Sequence, residues 1–433
     1  MKKVTVFWFR RDLRLEDNAG LYHALKGPHP VLPLFIFDTH ILEKLEDPRD
    51  RRMTFLSSTL HSLHVQLQKL HSSLCVKYGT PLNAWQELLT EFDVMEVFAN
   101  EDYEPYARER DDSIQNLIEK RGISFRSFKD QVIFSKDEVL KDNGEPYTVF
   151  TPFSKKWKAK VNAFYLSSYP TLRYKANFLS WKGSGIPSLA SMGFEKVDFD
   201  FPPAKMSRDV IAAYDKRRDF PAQQGTSHLG IHLRFGTISI RELTRHAFSL
   251  NDTFLNEIIW RDFYQMILWH FPSAEHHAFK PAYDRIKWRY DEDEFAAWCE
   301  GRTGYPIVDA GMHELNETGF MHNRVRMVTA SFLAKHLLID WRWGEAYFAK
   351  KLLDYDLAAN NGGWQWAAGC GTDAAPYFRI FNPALQTKKF DPKLEYIKKW
   401  VPSFQELSYP RPIVEHEFAR KRCLEAYKAA LKE

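Results

Sequence analysis

Cysteine is scarce in this chain: four among 433 residues, Cys75, Cys299, Cys370 and Cys423. None falls in a C-x-x-C or other metal-ligand spacing, so neither a metal site nor a disulfide framework is expected, and the thiols read as reduced, as in a cytoplasmic protein. An excess of one charge is also missing, since 60 Lys and Arg face 56 Asp and Glu and leave a net charge of +4. Composition therefore announces no nucleic-acid partner, and any such surface must come from local clustering of cations. No apolar run approaches the length of a membrane span, so no membrane partner is expected. The N-terminal run Val4–Phe9 stops at Arg10-Arg11, too early for a signal peptide. No G-x-G-x-x-G follows it, which excludes the usual Rossmann dinucleotide site. Internal repeats and low-complexity tracts are absent.

Aromatic residues are abundant: 13 Trp, 19 Tyr and 33 Phe make 15% of the chain. Rings contribute most when buried, so an aromatic-rich core is the first reading. The length suggests about two or three domains. Residues 1 to 130 alternate short apolar runs (Val4–Phe9, Val31–Phe37, Leu74–Tyr78, Val94–Ala99, Ile123–Phe128) with helical patterns such as Phe55, Leu56, Leu60, Leu63, Leu67 and Leu70. That alternation predicts a parallel sheet covered by helices. Residues 131 to 206 are broken by Pro and Gly and read as a connector. From 207 to 433 the pattern is helical, with Ser239–Phe248, Asn256–His270 and Asn323–Leu338 as examples. The expectation is an α/β N-terminal domain, a connector and an all-helical C-terminal domain.

Four segments could carry chemistry. Asp354-Tyr355-Asp356-Leu357-Ala358-Ala359-Asn360-Asn361-Gly362-Gly363-Trp364-Gln365-Trp366 combines carboxylates, amides and paired glycines, as a buried heteroaromatic cofactor would need. On local physics alone a Gly-broken helix end, with Asn and Asp as caps and Trp as core, accounts for it slightly better. Arg217-Arg218-Asp219-Phe220-Pro221, followed by Gly225-Thr226-Ser227-His228-Leu229-Gly230, puts hydroxyls and free N–H groups before a helix, which suits a pyrophosphate or is an ordinary Thr/Ser cap. Glu257 and Trp260 share a helix face, otherwise a solvated Glu beside a core Trp. Met321-His322-Asn323-Arg324-Val325-Arg326-Met327 is polar and basic, otherwise a solvated face.

With these segments in view the chain resembles the DNA photolyase and cryptochrome family, specifically the microbial class I photolyases for cyclobutane pyrimidine dimers. The resemblance spans nearly the whole chain. It is most specific at Trp260-Arg261-Asp262-Phe263-Tyr264, Gly304-Tyr305-Pro306-Ile307-Val308-Asp309-Ala310 and Asp373-Ala374-Ala375-Pro376-Tyr377-Phe378-Arg379. It implies light-driven repair of such dimers by electron transfer from excited reduced FAD, on UV-damaged DNA, by a cytoplasmic monomer. It places FAD in the helical domain against Tyr214, Thr226, Ser227, His228, Leu229, Gly230, Arg326, Asp354, Tyr355, Asp356 and Asn360, with Arg326 pairing Asp354 and Asn360 beside flavin N5. It assigns Trp364, Trp341 and Trp288 to a tryptophan chain that photoreduces the flavin. The lesion would meet Glu257, Trp260, Asn323, Arg324, Met327 and Trp366, with Arg218, Arg324 and Gln386 near the DNA backbone. His228 and Gly230 depart from the Arg and Ser of many relatives. Tyr103-Glu104 is followed by Pro105-Tyr106-Ala107, and Glu275-His276 stands where folate-binding relatives carry Cys-Lys, so a folate antenna site of that kind is expected to be absent or altered. A deazaflavin, another flavin or no antenna stays open. The alternatives within the family are a cryptochrome and a (6-4) photolyase. The segment Met321-His322-Asn323-Arg324 lacks the paired histidines of (6-4) enzymes, and Asn360 and Trp366 favour repair over signalling. A flavin redox protein is the reading from outside the family, disfavoured by Glu257 and the two pocket tryptophans.

Overall fold

The computed structural model of the chain describes residues 2–432. Five parallel strands form one sheet in the order β3-β2-β1-β4-β5: β1 (Lys3–Phe9), β2 (Val31–Asp38), β3 (Cys75–Gly79), β4 (Asp93–Asn100) and β5 (Ser124–Phe128). Side chains alternate across a strand, and the two faces separate accordingly. Val4, Val6, Trp8, Leu32 and Leu34 pack on one face with Ala84, Trp85 and Leu88 of α3 (Pro81–Glu91) and Ile114 and Ile118 of α4 (Pro105–Glu119). Phe7, Phe9, Phe35 and Phe37 pack on the other with Leu21 and Leu25 of α1 (Ala19–Leu25) and Leu60, Leu63 and Leu67 of α2 (Arg51–Gln68). Burial on both faces is why β1 and β2 read as mostly apolar runs rather than as an alternation.

The chain divides into two units, one of Met1–Glu138, Ala159–Met206 and His228–His246, the other of Val139–Lys158, Ser207–Ser227 and Ala247–Glu433. This differs from the expected boundaries 1–130, 131–206 and 207–433, for identifiable reasons. Residues 159–206 are fastened to the sheet: Leu179 N–H donates to the Val31 carbonyl at 2.8 Å, and Phe178, Leu189, Met192 and Phe194 join the core of the first unit. Residues 228–246 join that unit through buried Arg241, which donates to Asp17 at 2.8 Å and to Asp130 at 2.7 Å.

The second unit opens on α5 (Phe150–Lys160), where sequence suggested only connector; Phe153 and Trp157, four apart, supply its buried stripe. It continues with α6 (Asp252–His270), α7 (Pro306–Thr318), α8 (Asn323–Ser331), α9 (Trp341–Lys351), α10 (Leu357–Ala368), α11 (Pro383–Phe390) and α12 (His416–Lys432). Its core gathers Trp298, Val325, Leu333, Trp341, Phe348 and Trp364. Among the described residues no helix is long and apolar enough to cross a membrane.

Candidate functional site

Helix α10 starts where Asp356 accepts from the Ala359 N–H at 3.2 Å, the expected action of an N-cap carboxylate. The same carboxylate receives the Gln265 amide from α6 at 3.1 and 3.2 Å. Gly362 and Gly363 lie inside the helix, which ends only at Gly369 in the left-handed region (φ 91°), so the Gly-broken end is not what forms. The two glycines serve different contacts. A Cβ on Gly362 would sit 2.3 Å from the Tyr264 ring, whereas one on Gly363 would meet nothing within 4 Å. Exposed Ala359 and Gly363, with half-buried Asn360 and Trp366, leave one side of α10 open.

Asn360 donates its amide Nδ2 to Glu345 on α9, to the backbone carbonyl at 3.1 Å and to Oε1 at 2.8 Å. Two acceptors fix which end of the amide is which and turn Oδ1 away from Glu345. Burial pushes the Glu345 carboxyl up, the Asn360 hydrogen bond pulls it down, and nearby Glu275 raises it. Arg326 donates to both Asp354 oxygens at 3.1 and 2.9 Å and to the Met321 carbonyl at 2.7 Å. An open face with a glycine, Gly363, at its centre, an amide of fixed polarity and a rim of carboxylates and guanidinium fit a flat, polar-edged cofactor such as a flavin.

Tyr214 sits edge-on to Phe254 at 5.1 Å, with the Arg218 guanidinium 5.8 Å from its ring. Tyr355 is half-buried against the helical core. Thr226 and Ser227 are half-buried in the second unit, while His228, Leu229 and Gly230 fall in the first. The helix there begins at Gly230 with Leu229, rather than Thr226 or Ser227, in the cap position; His228 is left-handed at φ 51°.

On α6, half-exposed Glu257 is ion-paired with Arg218. The surrounding protein pushes the Glu257 carboxyl up and Arg218 pulls it back. The next residue, Asp219, accepts from Arg324 on α8 at 2.7 Å. Two consecutive residues thus bind Glu257 and Arg324 and tie α6 to α8. Asn323 is exposed at the start of α8, which His322 caps by accepting from the Arg324 N–H at 3.2 Å. Met327 Sδ lies 3.6 Å from the Arg324 guanidinium, which also covers the Phe390 ring at 4.3 Å. Gln386 on α11 is half-buried, with its Oε1 buried and without a hydrogen-bond partner.

Trp364 and Trp341 are buried and Trp288 is half-buried. Trp364 touches Phe348 at 5.0 Å and Trp298 at 6.0 Å, and Trp288 meets Tyr427 edge-on at 6.0 Å. Sequence reasoning passed over Trp298, Glu345 and Gln265, and named Asp219 only as part of a segment, without a role of its own. Gln265 carried a signal, being a polar residue directly before the apolar run Met266-Ile267-Leu268.

Residues 254–408 match the family model described as the FAD binding domain of DNA photolyase, and residues 5–172 match that of DNA photolyase. The chain is 39% identical to the deoxyribodipyrimidine photo-lyase of a Synechococcus species, over 99% of this chain and 98% of that one. The chain belongs to the DNA photolyase family. The Escherichia coli relative of the same name is 36% identical over 98% of each photolyase chain. Among solved structures, a bacterial class III photolyase from Agrobacterium tumefaciens superposes with a TM-score of 0.88 at 32% identity, covering 100% of this chain and 98% of that one. An archaeal photolyase from Sulfolobus tokodaii, described with two FAD molecules, gives 0.83 at 34% identity over 98% and 100%. A Synechocystis cryptochrome shares the fold, with a TM-score of 0.85 at 24% identity, covering 98% of this chain and 99% of that one.

Proposed function

We propose that this photolyase-family chain repairs cyclobutane pyrimidine dimers in DNA under light. The observation that carries the reading is the Arg218-Asp219 bridge, which gathers Glu257 and Arg324 beside exposed Asn323. The names of the relatives agree with it, since those aligned over nearly the full length are deoxyribodipyrimidine photo-lyases. Bound in its reduced form, FAD would lend on illumination one electron, which opens the cyclobutane ring and then returns, so that repair carries no net redox change. Arg326, Asp354, Asp356 and Asn360 would hold it, with Asn360 presenting a fixed Oδ1 toward the flavin edge. Glu257 would hydrogen-bond the base edge of the extruded dimer while Trp260 and Trp366 exclude water; extrusion is cheaper for an unpaired lesion than for a normal base, photolyases being among the base-flipping enzymes. Arg218 and Arg324 would exchange their present carboxylate partners for phosphates, contacts that position a strand without reading its sequence. Trp364, Trp341 and Trp288 would pass electrons inward to restore the reduced state.

The deciding experiment incubates reduced protein with a thymine-dimer oligonucleotide under blue light and in the dark. Light-dependent recovery of intact thymines is the expected result. No recovery from protein that binds and photoreduces flavin sinks the reading.

A further inference from the structure

The substrate reading gives Trp260 a task without saying what fixes its ring. Phe150, the first residue of α5, stacks on Trp260 with ring centres 3.8 Å apart and planes 3° apart. Phe263, fully buried, meets both rings edge-on, Trp260 at 5.6 Å and Phe150 at 5.9 Å. Three mutually touching rings, one of them anchored in the core, hold a plane far better than a single contact. Phe150 is in turn fastened through its backbone. Its N–H donates to Asp373 at 3.3 Å, and the Thr372 hydroxyl donates to the Thr148 carbonyl at 2.6 Å. Asp373 sits in the left-handed region at φ 46°, a conformation Asp tolerates better than most residues. Thr372 and Asp373 follow the end of α10 after three intervening residues, Gly369, Cys370 and Gly371; α10 is the helix that carries Asn360, Trp364 and Trp366.

We infer that Phe150 is a positioning residue for Trp260, and that Thr372 and Asp373 strap it in place from the end of α10. The inference rests on the reading of Trp260 as a lesion contact. Phe150 already occupies one π-face of the indole, so a dimer can be received only on the remaining face or edge. The strap also gives the motif that begins at Asp373 a function: it sets the plane of the pocket wall relative to the helix bearing the flavin-side residues.

Two measurements on the flavin-loaded protein test this separately. In protein labelled with 5-fluorotryptophan, the Trp260 resonance is identified by its loss in Trp260→Phe. It should move downfield in Phe150→Leu, which removes the ring current, stay in place in Phe150→Tyr, and broaden or move in Asp373→Gly, which relaxes the left-handed φ but deletes the acceptor. An unmoved resonance in Phe150→Leu overturns the stack. The second measurement is the dissociation constant for a thymine-dimer oligonucleotide and for its undamaged counterpart. Phe150→Leu should weaken the dimer complex about 3–10-fold, the worth of one aromatic pair, with the undamaged complex unchanged and Phe150→Tyr restoring the preference. Equal weakening of both complexes, or none, overturns the positioning role. If the parent protein does not prefer the dimer, the repair reading fails while the fluorine result still decides the stack.

Discussion

The side-chain amide of Asn360 is held by Glu345, 2.8 Å from Oε1 and 3.1 Å from the backbone carbonyl. Because both partners accept, the amide cannot turn over without setting oxygen against oxygen. The polarity that Asn360 shows to its other neighbours is therefore decided by a residue on another helix. Glu345 contributes this at a cost, since its carboxyl is driven up by burial with Glu275 nearby.

That cost has a sign. A carboxyl whose folded value lies above its unfolded one adds stability fully below the unfolded value, and loses it as pH rises through the folded one. Glu345→Gln removes the titration, so the melting temperature of the variant relative to the parent should rise between pH 4.5 and 7.5. A difference that stays constant across this range would show that burial does not raise the Glu345 carboxyl above its unfolded value.

Arg326 and Asp354 form the other fixed pair of the site, with side chains 24% and 19% exposed. Arg326 also closes the turn before α8 by donating to the Met321 carbonyl at 2.7 Å. Asp354→Asn should cost about 1.5–3 kcal/mol, the range for a hydrogen bond to a charged group. It should also lower the flavin content of purified protein. Urea unfolding and the ratio of flavin to protein absorbance check the two effects independently.

Much of the first unit is legible in sequence because β1 and β2 are buried on both faces and so appear as apolar runs. The helix Phe150–Lys160 was not legible: Pro152 and four lysines obscure a stripe of only two buried residues, Phe153 and Trp157. Nor was the place of residues 228–246, which depends on Arg241 reaching Asp17, 224 positions away. The candidate site divides in the same way. Asp354, Asp356, Asn360 and Gly363 are neighbours in the chain and stand out as a cluster, whereas Glu345, Gln265 and Asp219 gain their meaning only from partners brought close by folding.

Arg218 and Glu257 give a prediction with a direction. Arg218 lowers a carboxyl that its surroundings raise. Arg218→Gln should therefore keep Glu257 protonated to higher pH, and a titration of dimer-oligonucleotide binding should show its Glu257 midpoint moved upward. The variant should also bind with a log-log salt slope shallower by about 1, the loss of one phosphate contact. An unmoved midpoint would show that Arg218 does not govern Glu257, and an unchanged slope that it does not reach the DNA.

The glycines around α10 separate packing from binding. A Cβ on Gly344 would lie 2.1 Å from the buried Trp364 ring and 2.5 Å from Leu333, with no flexible side-chain end to give way. Gly344→Ala should destabilise the protein by about 1–3 kcal/mol, as overpacking of a core does. A Cβ on Gly363 meets nothing within 4 Å, so Gly363→Ala should stabilise the flavin-free protein by about 0.5–1 kcal/mol, the usual gain for Ala over Gly inside a helix. The same methyl would stand on the open side of α10, where a flat ring must approach closely, so flavin retention should fall as stability rises. Urea unfolding of the flavin-free protein and a flavin titration read the two arms. Opposite signs support a cofactor face at Gly363, whereas a gain in stability with undiminished flavin affinity would place the flavin elsewhere.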